Sequence, residues 1–294
     1  MNGARQHLLC FGLGYCAKAL VARLKPRGWR ISGTSRTVES AAKLQDLGVG
    51  AIVFDSGEAT APSLPTTVTH ALISVPPGAQ GDPVLRAFCD QLAAMEQLRW
   101  IGYLSTVGVY GDHGGAWVHE ETAPAPVSER GRRRLAAESA WLGFAENSAK
   151  QAQVFRLPGI YGPGRNALES LRQGKARRIV KPGQVFNRIH VVDIAATLEA
   201  AMAKSVGETI FNVTDDEPAP PQDVVTLAAE LLGLEPPLVQ NFDAAELSPM
   251  ARSFYDENKR VENKRIKQVL GVKLAYPTYR EGLRALVHDL TAEG

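Results

Sequence analysis

Residues 8–17, Leu-Leu-Cys-Phe-Gly-Leu-Gly-Tyr-Cys-Ala, have the types and spacing to do recognisable chemistry. An apolar run from Leu8 to Phe11 meets Gly12-Leu13-Gly14. Ala17, Leu20, Val21 and Leu24 then recur on one helical face. Strand, tight turn and helix N-terminus in that order can receive a pyrophosphate. Gly12 can take backbone angles closed to a residue with a Cβ, Gly14 leaves the backbone open to phosphate, and Ala17 lets the helix pack closely on the strand. Tyr15 opens the helix, whose N–H groups and dipole face the anion. The expected ligand is a dinucleotide. The second strand ends Ser32-Gly33-Thr34-Ser35-Arg36 without the carboxylate that would accept from a ribose 2′-hydroxyl. Arg36 can instead make a charge-assisted bond to a 2′-phosphate and stack on adenine, and Ser35 can add a second bond, which points to NADP rather than NAD. Asp55, closing the third strand, can accept from the adenine amino group or cap a turn. Ser74 and Val75, ending the fourth, are expected to offer backbone contacts to the adenosine.

These groups need elements to hold them. Strands are expected near 29–33, 51–54, 70–75, 100–105 and 153–156, with helices over 84–98 and 128–144. Strands separated by helices imply a parallel, doubly wound α/β sheet with ligand along the carboxyl ends of its strands. Beyond Tyr161-Gly162-Pro163-Gly164 the periodicity breaks. Helices are expected over 191–203, 222–232, 258–270 and 279–290, and a further strand over 209–213. Residues 1–160, with 190–214 returning to them, read as a Rossmann-type dinucleotide-binding domain. Residues 161–189 and 215–294 read as a small C-terminal substrate-binding cap, with the cofactor in the cleft between the two.

Composition narrows the function classes. The chain has 294 residues, 45% of them hydrophobic and 22% charged, and a formal net charge of +2, so no bulk electrostatic attraction favours nucleic acid. Its three cysteines, Cys10, Cys16 and Cys89, lack metal spacing and do not make a disulfide framework, in keeping with a reducing, cytoplasmic setting. No apolar run is long enough to span a bilayer, and the N-terminal apolar stretch is broken by Gly12 and Gly14. No metal and no membrane partner is expected.

Four further segments occur in order. Ser105-Thr106-Val107-Gly108-Val109-Tyr110-Gly111 resembles the S-S/T-x-x-V-Y-G segment of extended short-chain dehydrogenases/reductases. Arg156-Leu157-Pro158-Gly159-Ile160-Tyr161-Gly162-Pro163-Gly164 is similar to their R-x-x-x-x-Y-G-P-G segment. Ile189-His190-Val191-Val192-Asp193 resembles their I-H-V-x-D, and Phe211-Asn212-Val213 their F/Y-N-V strand. The C-terminal Lys259-Arg260-Val261 and the run from Tyr276 to Leu283 resemble a bacterial branch of NAD-dependent epimerase/dehydratase type. The resemblance implies hydride transfer at a nicotinamide, with a Ser/Thr, a Tyr and a Lys handling the proton. It places Ser105 and Pro158 beside the cofactor and makes Thr106 the hydroxyl residue. Leu135-Ala136-Ala137-Glu138 resembles the family's K-L-A-A-E, yet Arg134 stands at the Lys position and Arg130 at the Tyr position. No tyrosine lies between Gly111 and Ile160. An arginine is always protonated near neutrality and makes a poor acid/base, although Arg134 can still donate to the ribose.

The remaining acid/base candidates are Tyr110, His113 and His119, with Thr106 and Tyr110 taken as the catalytic pair. Tyr110 at a strand-to-loop turn can equally be a packing residue. Tyr161 and His190 are candidates to line the cleft, and Arg165, Arg188 and Arg260 to clamp an anionic substrate. Two readings follow. One is an oxidoreductase or epimerase-like enzyme with a non-standard proton relay, acting on a small polar or sugar-nucleotide substrate. The other is a dinucleotide-binding regulator or scaffold without turnover. A homodimer would use helices near Met95 and Trp141.

Overall fold

The computed structural model describes residues 6–55, 57, 61–204, 206–207 and 209–292. In chain order the strands are β1 (His7–Phe11), β2 (Arg30–Ser35), β3 (Gly50–Val53), β4 (His70–Ile73), β5 (Trp100–Thr106), β6 (Trp117–Val118), β7 (Gln151–Leu157), β8 (Gly159–Tyr161), β9 (Arg178–Val180), β10 (Arg188–His190), β11 (Ile210–Asn212), β12 (Val239–Asn241) and β13 (Arg260–Val261). The helices are α1 (Tyr15–Leu24), α2 (Val38–Asp46), α3 (Pro83–Ala94), α4 (Glu129–Ser148), α5 (Ala167–Arg172), α6 (Val191–Ala203), α7 (Pro221–Leu232), α8 (Pro249–Ser253), α9 (Lys264–Gln268) and α10 (Tyr279–Ala292). The chain forms two compact units. One comprises Met1–Ser105, Arg132–Arg156 and Ala195–Phe211, the other Thr106–Gly131, Leu157–Ile194 and Asn212–Gly294.

The first unit is built on a seven-stranded sheet of order β11-β7-β5-β4-β1-β2-β3. β1 pairs in parallel with β2 and β4, as β2 does with β3 and β4 with β5. This is the doubly wound α/β sheet that alternating strands and helices require. β1 is buried along its whole length, which is why Leu8 to Phe11 reads as an unbroken apolar run. One core layer gathers Phe11, Phe54, Phe88, Ile101, Tyr103, Trp141 and Phe144. Each fully buried aromatic or aliphatic side chain of this kind contributes about 1.5–3 kcal/mol. Strand order reverses at β1, between its neighbours β2 and β4, and in such sheets ligands bind outside the carboxyl ends of the strands at that point.

The second unit has three two-stranded pairings, β10 with β8, β12 with β9 and β13 with β6, each parallel. A separate core forms around Tyr161, Leu168, Val224, Ala228, Tyr279, Leu283 and Leu286, which come from α5, α7, α10 and their flanks.

Two sequence expectations change. The helix read over 84–98 stops at Ala94, because Met95 leaves helical angles and the chain turns toward β5. The basic helix read over 258–270 is not continuous. Arg260 N–H donates to the Ala116 carbonyl at 2.9 Å and Glu262 N–H to that of Val118 at 2.9 Å, so this stretch is strand β13, and only Lys264–Gln268 is helical. Tertiary hydrogen bonds outweigh the weak helix preference of a stretch holding Asn258, Val261 and Asn263.

Candidate functional site

The glycine turn ends β1. Gly12 has φ +83°, and a Cβ there would stand 3.0 Å from Ser74 Oγ and 3.1 Å from Val75 Cγ2, so glycine is required by both conformation and space. The turn is held by its neighbours. Gly12 N–H donates to Thr34 Oγ1 at 2.9 Å, and Ser74 Oγ donates to the Gly12 carbonyl at 2.6 Å and the Phe11 carbonyl at 3.1 Å. The Ser74 hydroxyl, expected only to lie beneath the adenosine, thus shapes the turn itself.

Gly14 differs. It caps α1 with φ −81°, which any residue can adopt, and an added Cβ would meet nothing within 4 Å. No packing inside the protein calls for glycine here. The cap supplies no side-chain acceptor, and the first turn of α1 holds no acidic residue. Ala17 is fully buried against the sheet, as its small size allows. The helix therefore begins with its positive end open to an anion, beside a glycine that leaves the approach clear.

β2 ends at Ser35, which is half-buried, and Arg36 is exposed, with no hydrogen bond or ion pair among the described residues. Thr37 caps α2 through Ser40 N–H at 3.2 Å. Asp55 is exposed and accepts from Gly57 N–H at 3.2 Å, a local turn contact. Val75 is half-buried just beyond β4.

At the end of β5 the first unit contains a buried polar group. Ser105 Oγ donates to Glu138 Oε1 at 2.5 Å, and Arg156 Nη2 and Nε donate to the same carboxylate at 2.7 and 3.2 Å. Glu138 and Arg156 are each only 2% exposed. Arg134, one helical turn before Glu138, donates to the Leu104 carbonyl and lies over the Tyr103 ring at 5.8 Å. Ser105 and Arg134, both expected near a cofactor, are thus tied to the β5 backbone and to α4. The Glu138–Arg156 pair escaped the sequence reading. Only its place in the two matched segments hinted at it.

In the second unit, Thr106 Oγ1 accepts from Gly108 N–H at 3.1 Å and starts a short 3-10 turn over Val107–Tyr110. Tyr110 is fully buried and donates to Asn212 Oδ1 at 2.8 Å. That bond must break before Tyr110 can exchange a proton with a substrate. His113 is half-buried with Nε2 3.1 Å from the Tyr110 carbonyl, and His119 is exposed beside Glu121 at 2.8 Å. Arg130, at the expected Tyr position, lies over the exposed Phe254 ring at 5.2 Å. Pro158 is half-buried between β7 and β8. Tyr161 and His190 pack edge to face at 5.1 Å, and the Arg188 guanidinium lies 5.8 Å from the Tyr279 ring. Arg260 donates to the Gly115 carbonyl. Asp193 accepts from Ala275 and Tyr276 N–H at 2.7 and 3.1 Å, which makes it a backbone clamp. Burial pushes the Asp215 carboxyl up to about 8, against the pull of Arg188. Among the described residues no cluster of His, Cys, Asp or Glu could hold a metal ion, and no helix is long and apolar enough to cross a membrane.

No family model matches the chain. It is 53% identical to a functionally unknown conserved protein from Silicibacter pomeroyi, with a TM-score of 0.89 over 97% of this chain and 99% of that one. It is 25% identical to a protein from Methylobacillus flagellatus assigned as an NAD-dependent epimerase/dehydratase, with a TM-score of 0.72 over 98% of this chain and 100% of that one. In fold and over nearly its whole length the chain is thus similar to a protein of NAD-dependent epimerase/dehydratase type. Among curated proteins it is 27% identical to protein YeeZ of Escherichia coli K12 over 283 residues, 90% of this chain and 94% of YeeZ. Arg130 and Arg134 stand at the positions where the sequence resemblance leads one to expect a tyrosine and a lysine.

Proposed function

We propose that the first unit binds a nicotinamide dinucleotide on the Gly12–Ala17 turn, with NADP preferred over NAD, and that the chain is an oxidoreductase or epimerase-like enzyme on a small polar or sugar-nucleotide substrate. The observation that carries this reading is Gly14. It is a glycine with no internal reason to be one, set at an open helix N-terminus on the switch point of the sheet. The residues fit such a group. Gly12, Gly14, Tyr15 and Ala17 would receive the pyrophosphate. Ser35 and Arg36 would meet the adenosine end, with Asp55, Ser74 and Val75 nearby. Ser105, Arg134 and Pro158 are the candidates toward the other end. The bound dinucleotide would supply or accept hydride. The second unit, Thr106 and Tyr110 included, would carry the substrate.

Arg130 and Arg134 support a second reading, a dinucleotide-binding regulator or scaffold without turnover. Both arginines are engaged elsewhere, on Phe254 and on the Leu104 carbonyl, and a guanidinium has no proton-accepting atom. Typical carbonyl and sugar-nucleotide substrates are therefore expected to turn over slowly.

Competitive titration of NADPH and NADH into wild type and Arg36→Ala tests the cofactor assignment. The charged hydrogen bond to a 2′-phosphate contributes about 1.5–3 kcal/mol, so NADPH should lose roughly tenfold or more in affinity while NADH changes little. Equal losses would restrict Arg36 to stacking on adenine. A wild type that prefers NADH would overturn the NADP assignment.

A further inference from the structure

Lys259 is buried, 5% exposed, in the segment just before β13. Its Nζ donates to Glu257 Oε2 at 2.5 Å and to the Gly111 carbonyl at 2.7 Å. The surrounding backbone is fastened on several sides. Asn258 N–H donates to Asp112 Oδ1 at 2.7 Å, and the Asn258 carbonyl accepts from His113 and Gly115 N–H at 3.0 and 2.9 Å. Asn187 Nδ2 donates to the Lys259 carbonyl at 2.9 Å, while its Oδ1 accepts from Val261 N–H at 2.8 Å. Gly111, with φ +75°, could not carry a Cβ, which would stand 1.9 Å from the Ala125 carbonyl oxygen. The pair thus sits on a rigid support, as a preorganised group requires.

The same geometry brings the pair to Thr106. A Cβ built on Gly108 would lie 3.4 Å from Thr106 Oγ1 and 3.8 Å from Glu257 Oε2. The two oxygens therefore flank one small gap, which exists because residue 108 lacks a side chain.

We infer that Glu257, oriented by Lys259, is the proton-handling carboxylate of this chain, accepting the proton of a substrate hydroxyl that hydrogen-bonds to Thr106 in the Gly108 gap. The inference rests on the dinucleotide-dependent chemistry proposed above. When a substrate alcohol is oxidised, its O–H bond breaks and the proton passes to Glu257 Oε2. As a C=O bond forms, the C–H electron pair would leave as hydride, for which a bound oxidised nicotinamide dinucleotide would be the acceptor. In reduction, Glu257 returns the proton to the oxygen. Lys259 is the positioning residue: its ammonium donates to Oε2 and fixes the oxygen that must act as base. The charged groups facing Lys259 are Glu257 on its own segment and Asp112 from the loop after Gly111. Lys181, which also acts on Asp112, donates to the Tyr255 carbonyl. Burial draws the Lys259 ammonium below the usual lysine value, and Glu257 and Asp112 oppose that shift.

Two variants test the inference, Glu257→Gln and Gly108→Ala. Glutamine keeps an acceptor for Lys259 but takes no proton. Alanine at 108 makes contacts of ordinary length, yet puts a methyl group in the gap. The probe is UDP-glucose, with NADP or NAD, followed in a single turnover by absorbance of the reduced nicotinamide across pH. A second readout is the side-chain 15N resonance of Lys259 on adding UDP-glucose without dinucleotide. Both variants should bind NADPH as wild type does; Gly108→Ala should keep its melting temperature, and Glu257→Gln, which leaves the buried Lys259 ammonium without its carboxylate, should fold but melt lower. Both should lose about a hundredfold in rate. The fall of wild-type rate toward acid should be absent in Glu257→Gln, and the Lys259 resonance should respond to UDP-glucose in wild type but not in Gly108→Ala. Retention of wild-type rate and pH profile by Glu257→Gln would overturn the inference. So would a wild type that binds dinucleotide but neither oxidises UDP-glucose nor shows the Lys259 response, and that result would leave the cofactor reading standing. A wild type that binds no dinucleotide would instead overturn the proposed function.

Discussion

Around the glycine turn of the first unit, side-chain hydroxyls serve the backbone. Thr34 takes the Gly12 N–H, and Ser74 gives its proton to the Gly12 carbonyl. In the second unit the notable buried polar groups are ionisable: Lys259 on Glu257, and Asp215 near Arg188. The first arrangement builds a fixed shape, and the partner proposed for it, an anion at the N-terminal end of α1, would come from outside the protein. The second holds groups whose charge depends on their surroundings and can change. The contrast teaches where to look when an expected catalytic pair is missing from the sequence. The binding frame is read from what its side chains do to the backbone. The chemistry is sought among buried groups able to exchange a proton.

The largest effect expected from breaking this contrast lies inside the first unit. Arg156→Ala leaves Glu138 buried without its ion-pair partner, and removing one member of such a pair costs about 3–5 kcal/mol. The melting temperature should fall clearly. Replacing Arg156 and Glu138 together by Met and Leu should recover much of that loss, because no lone charge remains. If Arg156→Ala is as stable as wild type, the pair does not hold β7 to α4.

A smaller effect concerns the missing pair. Arg130→Tyr with Arg134→Lys should raise turnover of a sugar-nucleotide probe by about a hundredfold, the lower end of what a positioned acid/base contributes. NADPH affinity should stay within a few-fold. No gain, with binding intact, would mean that these helix positions do not face the reacting atoms.

The smallest effect is a difference in pH response. Burial lowers His7 and His70 from 6.5 to about 4, with Arg30 and Arg99 adding to it, so the folded first unit holds both neutral. The unfolded chain binds more protons between those values. Stability of this unit is therefore full above about 6.5 and declines as pH falls toward 4. Asp215 in the second unit has the opposite sign. Its carboxyl is raised from 3.8 to about 8, so its contribution is full below 3.8 and is lost as pH rises toward 8. Amide hydrogen exchange should show protection falling with acid in β1 and β4, and falling with alkali around β10 and residues 214–216. Parallel responses in both regions would contradict these assignments.

Much of the first unit was legible because its signals are local. β1 is a continuous apolar run, Gly12 and Gly14 follow it directly, and Val191–Ala203 is a helix at the residues where periodicity places it. The short strands β6, β9 and β12 were not legible. They are two or three residues long, and each is defined by a partner far away in sequence. The link from Glu257 and Lys259 to Gly108 and Gly111 was hidden for the same reason. It joins positions about 150 residues apart, from a stretch whose lysines and arginines imitate a solvated helix. The Ser105–Glu138–Arg156 group joins three separate elements, and no spacing in the chain announces it.

Gly14→Val tests the central claim most directly. The valine side chain would enter open space, so the fold and melting temperature should be retained. It would also stand where a pyrophosphate must approach the backbone of α1. Titration with NADPH, followed by nicotinamide fluorescence, should show at least a tenfold loss of affinity, about 1.4 kcal/mol or more. Unchanged NADPH affinity in a folded Gly14→Val protein would contradict the placement of the dinucleotide on this turn.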